Sequence, residues 1–359
     1  MRKKSSEYKS WKKHHDEKQL EIRTRCKDEK KHPSKKKKRL RKRRKKIIQR
    51  PTKEFIVPKV FSIIKNPEET IEFLNHIIKC VESVRYLLKN KNVKFVRLYY
   101  INMENTEVVT SDALMYLLTI ISNTRGTKLL PISWKGNLPI KNEVKDYIRK
   151  SGYLKYMNTS SENIVETDEN IQIKNGVGYT YGPDNFDIRK EIIDFTCSKL
   201  NKDKIEVNFL MTMLTEMISN ISDHAYQKEG LFKHEWYIFV SNENDKIIYT
   251  FMDNGLGIPT TIRKSIKEHI IEFFNAEEEF KYIETAVNGV AKRSETGQIE
   301  RGNGLPEIYN QFVAHNIENF GIISNKAFFN DKIKRDMNQE LKGTVFYWEI
   351  KKEVINNDN

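Results

Sequence analysis

Four short stretches of this chain carry the residue types best suited to chemistry. Glu216, Asn220 and Asp223 stand four and three apart, immediately before His224-Ala225, so on a helix they share one side. Asp253-Asn254-Gly255-Leu256-Gly257-Ile258 ends the apolar run Ile247 to Met252, Arg301-Gly302-Asn303-Gly304-Leu305-Pro306 follows a charged stretch, and Gly343-Thr344 opens the last apolar run. A carboxylate followed by glycines at alternate positions lets a backbone without Cβ atoms pass close to a flat or phosphorylated ligand, and the acid accepts hydrogen bonds from the ligand's edge. Each stretch also has an ordinary reading: Asp-Asn-Gly at a strand end makes a turn, and a glycine pair can simply cap a helix. Four of them in helix, strand, helix-start and strand contexts, in that succession, point to a nucleotide site.

These stretches need elements to hold them in place. A helix is predicted from Asn208 to Tyr226, with Leu210, Leu214, Met217, Ile218, Ile221 and Ala225 on its packed side and Glu216, Asn220 and Asp223 on the other. A helix from Asp187 to Leu200 precedes it, and strands at Glu235 to Ser241 and Lys246 to Asp253 follow. The charged, helix-prone stretch Thr260 to Glu300 has a composition suited to a lid. A helix opening at the second glycine pair and running to about His315 comes next, and strands at Phe320 to Ser324, Ala327 to Asn330 and Thr344 to Ile350 close the domain, which spans 186–352. Residues 159–185 read as a linker with one strand at Ile171 to Lys174.

Taken together, these motifs resemble the GHKL ATPase family over about residues 185–350, and Asn-x-x-x-His-Ala at Asn220 to Ala225 is most similar to its anti-sigma-factor-kinase branch. The resemblance implies an α/β fold of GHKL type, a two-layer sandwich with a mixed β-sheet and helices on one face. It implies ATP and Mg as cofactors, with Asn220 as the Mg ligand and Glu216 as the group that orients or deprotonates the attacking nucleophile. Asp253 would accept the adenine amino group, Gly257 would let the backbone approach the base, and Thr344 would hydrogen-bond near it. Gly302 and Gly304 would turn free N–H groups toward the polyphosphate. Arg301 would add a charge there, and Asp223, Gly255, Ile258 and Leu305 complete the implied ATP-binding set. A phosphohistidine role for His224 is rejected, because it lies within the nucleotide helix.

Residues 51–158 alternate helix and strand: Pro67 to Leu88, Phe95 to Ile101, Ser111 to Ser122, Leu129 to Ser133, Asn142 to Lys150. This predicts a small α/β domain that resembles a STAS domain by its order of elements. Thr110 and Ser111 stand where that family has a phosphorylatable serine, although the usual Asp-Ser-Ser-Gly loop is absent, and Ser111 reads equally as a helix N-cap.

Charge separates the remaining segment from the rest. Residues 1–50 hold 24 Lys and Arg against 6 Asp and Glu, while the other 309 residues hold 40 against 43. From Lys35 to Lys46 only Leu40 interrupts Lys35, Lys36, Lys37, Lys38, Arg39, Arg41, Lys42, Arg43, Arg44, Lys45 and Lys46. So much like charge predicts a disordered tail whose partner is anionic, with nucleic acid favoured over a solubilising role or a membrane surface. The three scattered cysteines argue against a disulfide framework, and no apolar run reaches the ~20 residues of a membrane span. A cytoplasmic protein with no membrane association is expected.

With 15 residues after Thr344, no transducer domain that brings a lysine to the terminal phosphate is expected, nor a phospho-acceptor hairpin ahead of the domain. The expected activity is slow Mg-dependent ATP hydrolysis in a nucleotide-dependent regulatory switch that signals to a protein partner. The alternatives are a serine/threonine kinase of the partner-switching type and a nucleic-acid-associated regulator. A second copy of the chain is a further candidate partner.

Overall fold

The computed structural model describes residues 53–90, 97–124, 132–157, 164–177, 183–224, 235–265, 278–289 and 304–352. The basic segment, with its Lys35 to Lys46 cluster, lies outside them. The fold is mixed α/β, with both parallel and antiparallel sheets.

The first part of the chain is built from short strands and two long helices. In order these are β1 (Lys53–Ile56), β2 (Val60–Phe61), α1 (Pro67–Asn90), β3 (Arg97–Asn102), β4 (Val108–Val109), α2 (Ser111–Thr124), β5 (Ile132–Gly136) and α3 (Asn142–Lys150). β1 pairs parallel with β3, β5 lies on the other side of β3, and β2 and β4 form a parallel pair of their own. Helix α1 starts at Pro67, whose missing N–H has no partner in a first turn, and Glu68 and Glu69 meet the positive end of its dipole. Ile71, Leu74, Ile78 and Val81, spaced three and four apart, form its buried stripe. The helices Pro67 to Leu88, Ser111 to Ser122 and Asn142 to Lys150 fall where the periodicity predicts them, to within two residues.

The second part forms one larger sheet: β6 (Asn170–Val177), then α4 (Pro183–Leu200), α5 (Asn208–His224), β7 (Glu235–Asn242), β8 (Lys246–Asp253), α6 (Ile258–Ser265), α7 (Phe280–Val287), α8 (Gly304–Val313), β9 (Glu318–Asn330) and β10 (Lys334–Lys351). The strand order is β6-β7-β8-β10-β9, and every neighbouring pair is antiparallel. The expected mixed sheet is therefore not found here. β7–β8 and β9–β10 are joined by tight turns, which make only antiparallel neighbours. Residues 159–185, expected as a linker with one strand at Ile171 to Lys174, supply the longer edge strand β6, and the two separate strands expected over 320–330 are a single β9.

Alternation along the strands decides what each face meets. Trp236, Ile238 and Val240 of β7, Tyr249 and Phe251 of β8, and Phe346 and Trp348 of β10 share one buried cluster with Leu214, Ile218 and Ile308 of α5 and α8. Trp348 lies flat on Tyr249 within it, 5.1 Å between ring centres. The opposite face, also apolar, carries Tyr237 and Phe239, and the described helices of 186–352 that pack on the sheet lie on the first face. Helix α2 covers the opposite face. Ser111 Oγ meets Thr250 Oγ1 of β8 at 3.0 Å, Ser122 Oγ meets the Tyr237 hydroxyl at 3.2 Å, and Tyr147 of α3 packs edge-on to Phe239.

Because α1 backs it and the sheet faces it, thirteen of the fourteen residues of α2 are buried. Its unbroken apolar run Ala113 to Leu118 places apolar side chains on more than one side and calls for such burial. β10 also leaves its ladder for a stretch: residues 336 to 344 are matched by only residues 324 to 327 of β9. The first part of the chain grips that excursion. The Glu68 carboxylate accepts from Arg335, Asn338 N at 3.1 Å and Gln339 N at 3.3 Å, and Asn75 Nδ2 donates to Glu340 O at 2.9 Å.

Met115, fully buried in the middle of α2, has no water to turn to. Met115→Glu is expected to cost at least about 3 kcal/mol, since it buries an unpaired charge or a protonated acid without partners. Urea denaturation should show both parts of the chain losing stability in one transition.

Candidate functional site

Helices α5 and α8 pack side by side, and their contact brings the first two motif elements together. A Cβ added at Gly304, the first residue of α8, would lie 2.6 Å from Glu216 Oε2 and 3.3–3.4 Å from the side-chain amide of Asn220. The start of α8 thus faces the carboxylate and the amide one turn apart on α5. A glycine there leaves the Glu216 carboxylate undisturbed, whereas a Cβ would press on it. The amide oxygen of Asn220 is a hard donor suited to a magnesium ion that keeps most of its ligands from water and phosphate. Among the described residues no group of three His, Cys, Asp or Glu side chains is arranged to hold a metal.

The second cluster lies at the end of β8. Asp253 is 6% exposed and stands directly opposite Thr344 of β10, on the sheet face shared with α5 and α8. Its carboxylate accepts the Gly255 N–H at 2.7 Å and the Thr344 hydroxyl. Ser324 of β9 supports that hydroxyl at 3.1 Å, meets Gly343 O at 3.0 Å, and accepts the Ile258 N–H at 2.9 Å. A buried acid whose partners are one N–H and one hydroxyl has lone pairs left for a further donor. Burial outweighs those two partners and pushes the Asp253 carboxyl up to about 6.

One residue holding this turn was not singled out from the sequence. Asn325, 3% exposed and at φ 52°, donates from Nδ2 to Leu256 O at 3.0 Å, while its Oδ1 accepts Thr260 N at 3.3 Å and the Thr260 hydroxyl at 3.2 Å. Its amide packs against Gly257, which has φ 85° and no room for a Cβ. A β9 asparagine therefore clamps both ends of the glycine turn. In the sequence it looks like a turn residue between two strands; Asn's tolerance of positive φ is the signal that identifies it.

The two clusters are joined by a small apolar group. Ile258, next to Gly257, and Leu305, next to Gly304, both pack on Ile262, Tyr282 and Ala286 of α6 and α7. The contact of Glu216 and Asn220 with Gly304 and the Asp253 turn are thus linked through the chain neighbours Leu305 and Ile258, which pack on the same apolar group. Arg301 and Gly302 lie outside the described residues, as do the Asp223 and His224 side chains. The expected lid is described only as α6 and α7.

Ser111 is 5% exposed, its hydroxyl reaching Thr250, and Thr110 sits just before it with its N–H on Phe61 O at 3.1 Å. Comparison with protein-family models and with curated proteins found no match for this sequence. No helix among the described residues is long and apolar enough to cross a membrane.

Two outcomes follow from these bonds. Asn325→Ala should lose about 2–4 kcal/mol, from the broken amide bonds and from a Cβ-bearing residue without a polar side chain at positive φ, while Asn325→Gly should recover only the backbone share. Urea midpoints of the three proteins separate the two shares. For Asp253, a folded-state pKa raised from 3.8 to about 6 means that its contribution to stability is full below 3.8 and lost as pH rises through about 6. The loss is on the order of 3 kcal/mol, and Asp253→Asn should lack it. It is read as the parent-minus-variant difference in unfolding free energy at about pH 4 and about pH 7.

Proposed function

We propose that the second part of the chain binds ATP with magnesium and hydrolyses it slowly, as a GHKL-type module, and that the STAS-like first part passes the nucleotide state to a protein partner. The observation carrying this reading is the meeting of Glu216 and Asn220 with Gly304, where an added Cβ would lie 2.6 Å from the Glu216 carboxylate. The buried Asp253 with spare acceptor capacity supports it from the other end.

The adenine amino group donates to Asp253, and the glycine turn held by Asn325 passes close to the ring. N–H groups at the start of α8 face the phosphates, where the dipole favours negative charge. Asn220 would hold the magnesium ion, which would neutralise charge on the phosphates. Glu216 takes a proton from the attacking water as its oxygen bonds to the terminal phosphorus and the bond to the leaving ADP oxygen breaks.

A partner-switching kinase would differ only in the acceptor, a protein hydroxyl in place of water. Ser111, buried against Thr250, is closed to an incoming phosphoryl group in this arrangement, which favours water or a hydroxyl on a separate protein. The charge of residues 1–50 supports nucleic acid as an anchor for the switch.

Titration calorimetry of the full chain should show Mg-dependent ATP binding. Asn220→Ala should remove the Mg dependence, and Asp253→Asn should weaken binding about tenfold to a hundredfold, as loss of a charged acceptor does. Since the adenine amino group needs the ionised acid, affinity should also fall as pH drops through about 6. A chain that binds no ATP, or an Asn220→Ala variant indistinguishable from the parent, overturns the reading.

A further inference from the structure

The contact between α2 and the larger sheet reaches the base end of the site through one side chain. Tyr116, 2% exposed, stands mid-helix; its hydroxyl donates to Lys342 O at 3.0 Å and accepts from Lys342 N at 3.2 Å. One phenol therefore satisfies both main-chain groups of one residue. No strand does so at this point: the β9–β10 register shifts between Leu341 and Thr344, and the β8–β10 register begins only at Thr344. The two residues that follow Lys342 are part of the site. Gly343, at φ 104°, crosses the Asp253 carbonyl where a Cβ would collide, and Thr344 donates its hydroxyl to the Asp253 carboxylate. Burial, with a smaller contribution from the Asp253 charge, pushes the Tyr116 hydroxyl well up, so it stays protonated and keeps its donor.

We propose that Tyr116 is a positioning residue for the nucleotide's base: by fixing Lys342 it sets Gly343 and Thr344 against Asp253, and so makes the docking of α2 and the binding of ATP mutually dependent. The inference rests on the ATP reading above. Its physical content is reciprocity. Whatever α2 does for the affinity of the base site, a bound base does to the same extent for the docking of α2. Tyr116 touches no part of the nucleotide and acts only through residues 342 to 344.

The test uses the full chain and four proteins: parent, Tyr116→Phe, Asn75→Ala and Asp253→Asn. Tyr116→Phe keeps the ring in its packing and removes both bonds to Lys342. Asn75→Ala removes the neighbouring bond to Glu340, on the same excursion of β10. Calorimetry with Mg-ATP and Mg-GTP should show Tyr116→Phe binding ATP about tenfold more weakly with a narrowed ATP-to-GTP preference, and Asn75→Ala binding as the parent does. Hydrogen exchange should show ATP protecting the 342–344 amides and α2 in the parent. Unchanged ATP affinity and base preference in Tyr116→Phe, or an equal loss in Asn75→Ala, overturns the proposal. If Tyr116→Phe does not fold, the exchange data decide: failure of ATP to protect 342–344 in an ATP-binding parent overturns it equally. A parent that binds no Mg-ATP, or an Asp253→Asn variant that binds normally, identifies the ATP reading as the part that failed.

Discussion

A sheet with two apolar faces must be covered twice, and the architecture of this chain follows from that requirement. Strands β7, β8 and β10 place Trp236, Phe251 and Trp348 on one face and Tyr237 and Phe239 on the other, and every one of them is buried. Helices α4, α5 and α8 cover the first face and leave room for polar groups at their ends. The second is closed by α2, which comes from the other part of the chain and is itself buried on nearly all sides. Neither part could expose this contact to water without uncovering a large greasy surface.

The candidate site gains its shape from the same layering. Glu216 and Asn220 are half-buried polar residues on a helix whose other side joins the core, and they face Gly304, which carries no side chain. Asp253 is an acid at the end of a strand whose other residues are hydrophobic, held by a hydroxyl from the next strand and an N–H from its own turn. Both arrangements place polar chemistry at the edges of apolar layers, where a ligand that enters is desolvated by the walls and oriented by a few groups.

Much of this was legible in the sequence because it rests on local rules. The 3.6-residue period located α1, α2, α3 and α5, and the same period put Glu216 and Asn220 one turn apart on a single side. Glycines at alternate positions after Asp253 marked a turn that needs positive φ, which Gly257 has. The rest depends on contacts that no local pattern encodes. The strand expected at Ile171 to Lys174 runs on as β6 to Val177, an extension hidden because Asn175 and Gly176 break its alternation, although Trp236 of β7 fills the space that Gly176 leaves open. Asn325 and Tyr116 look like a turn residue and an apolar helix residue until Leu256 and Lys342 are brought beside them. Strands as short as β2 and β4 carry too few residues for a period.

The position of α2 in the chain also has a consequence for biogenesis. Its hydroxyl partners on the sheet lie 115, 139 and 226 residues further along, on β7, β8 and β10. During synthesis this almost wholly buried helix emerges long before the surface that shelters it exists. Such long-range closure makes folding slow and leaves the nascent helix dependent on other shelter. The ribosome-bound chain is therefore where a chaperone has most to offer this protein.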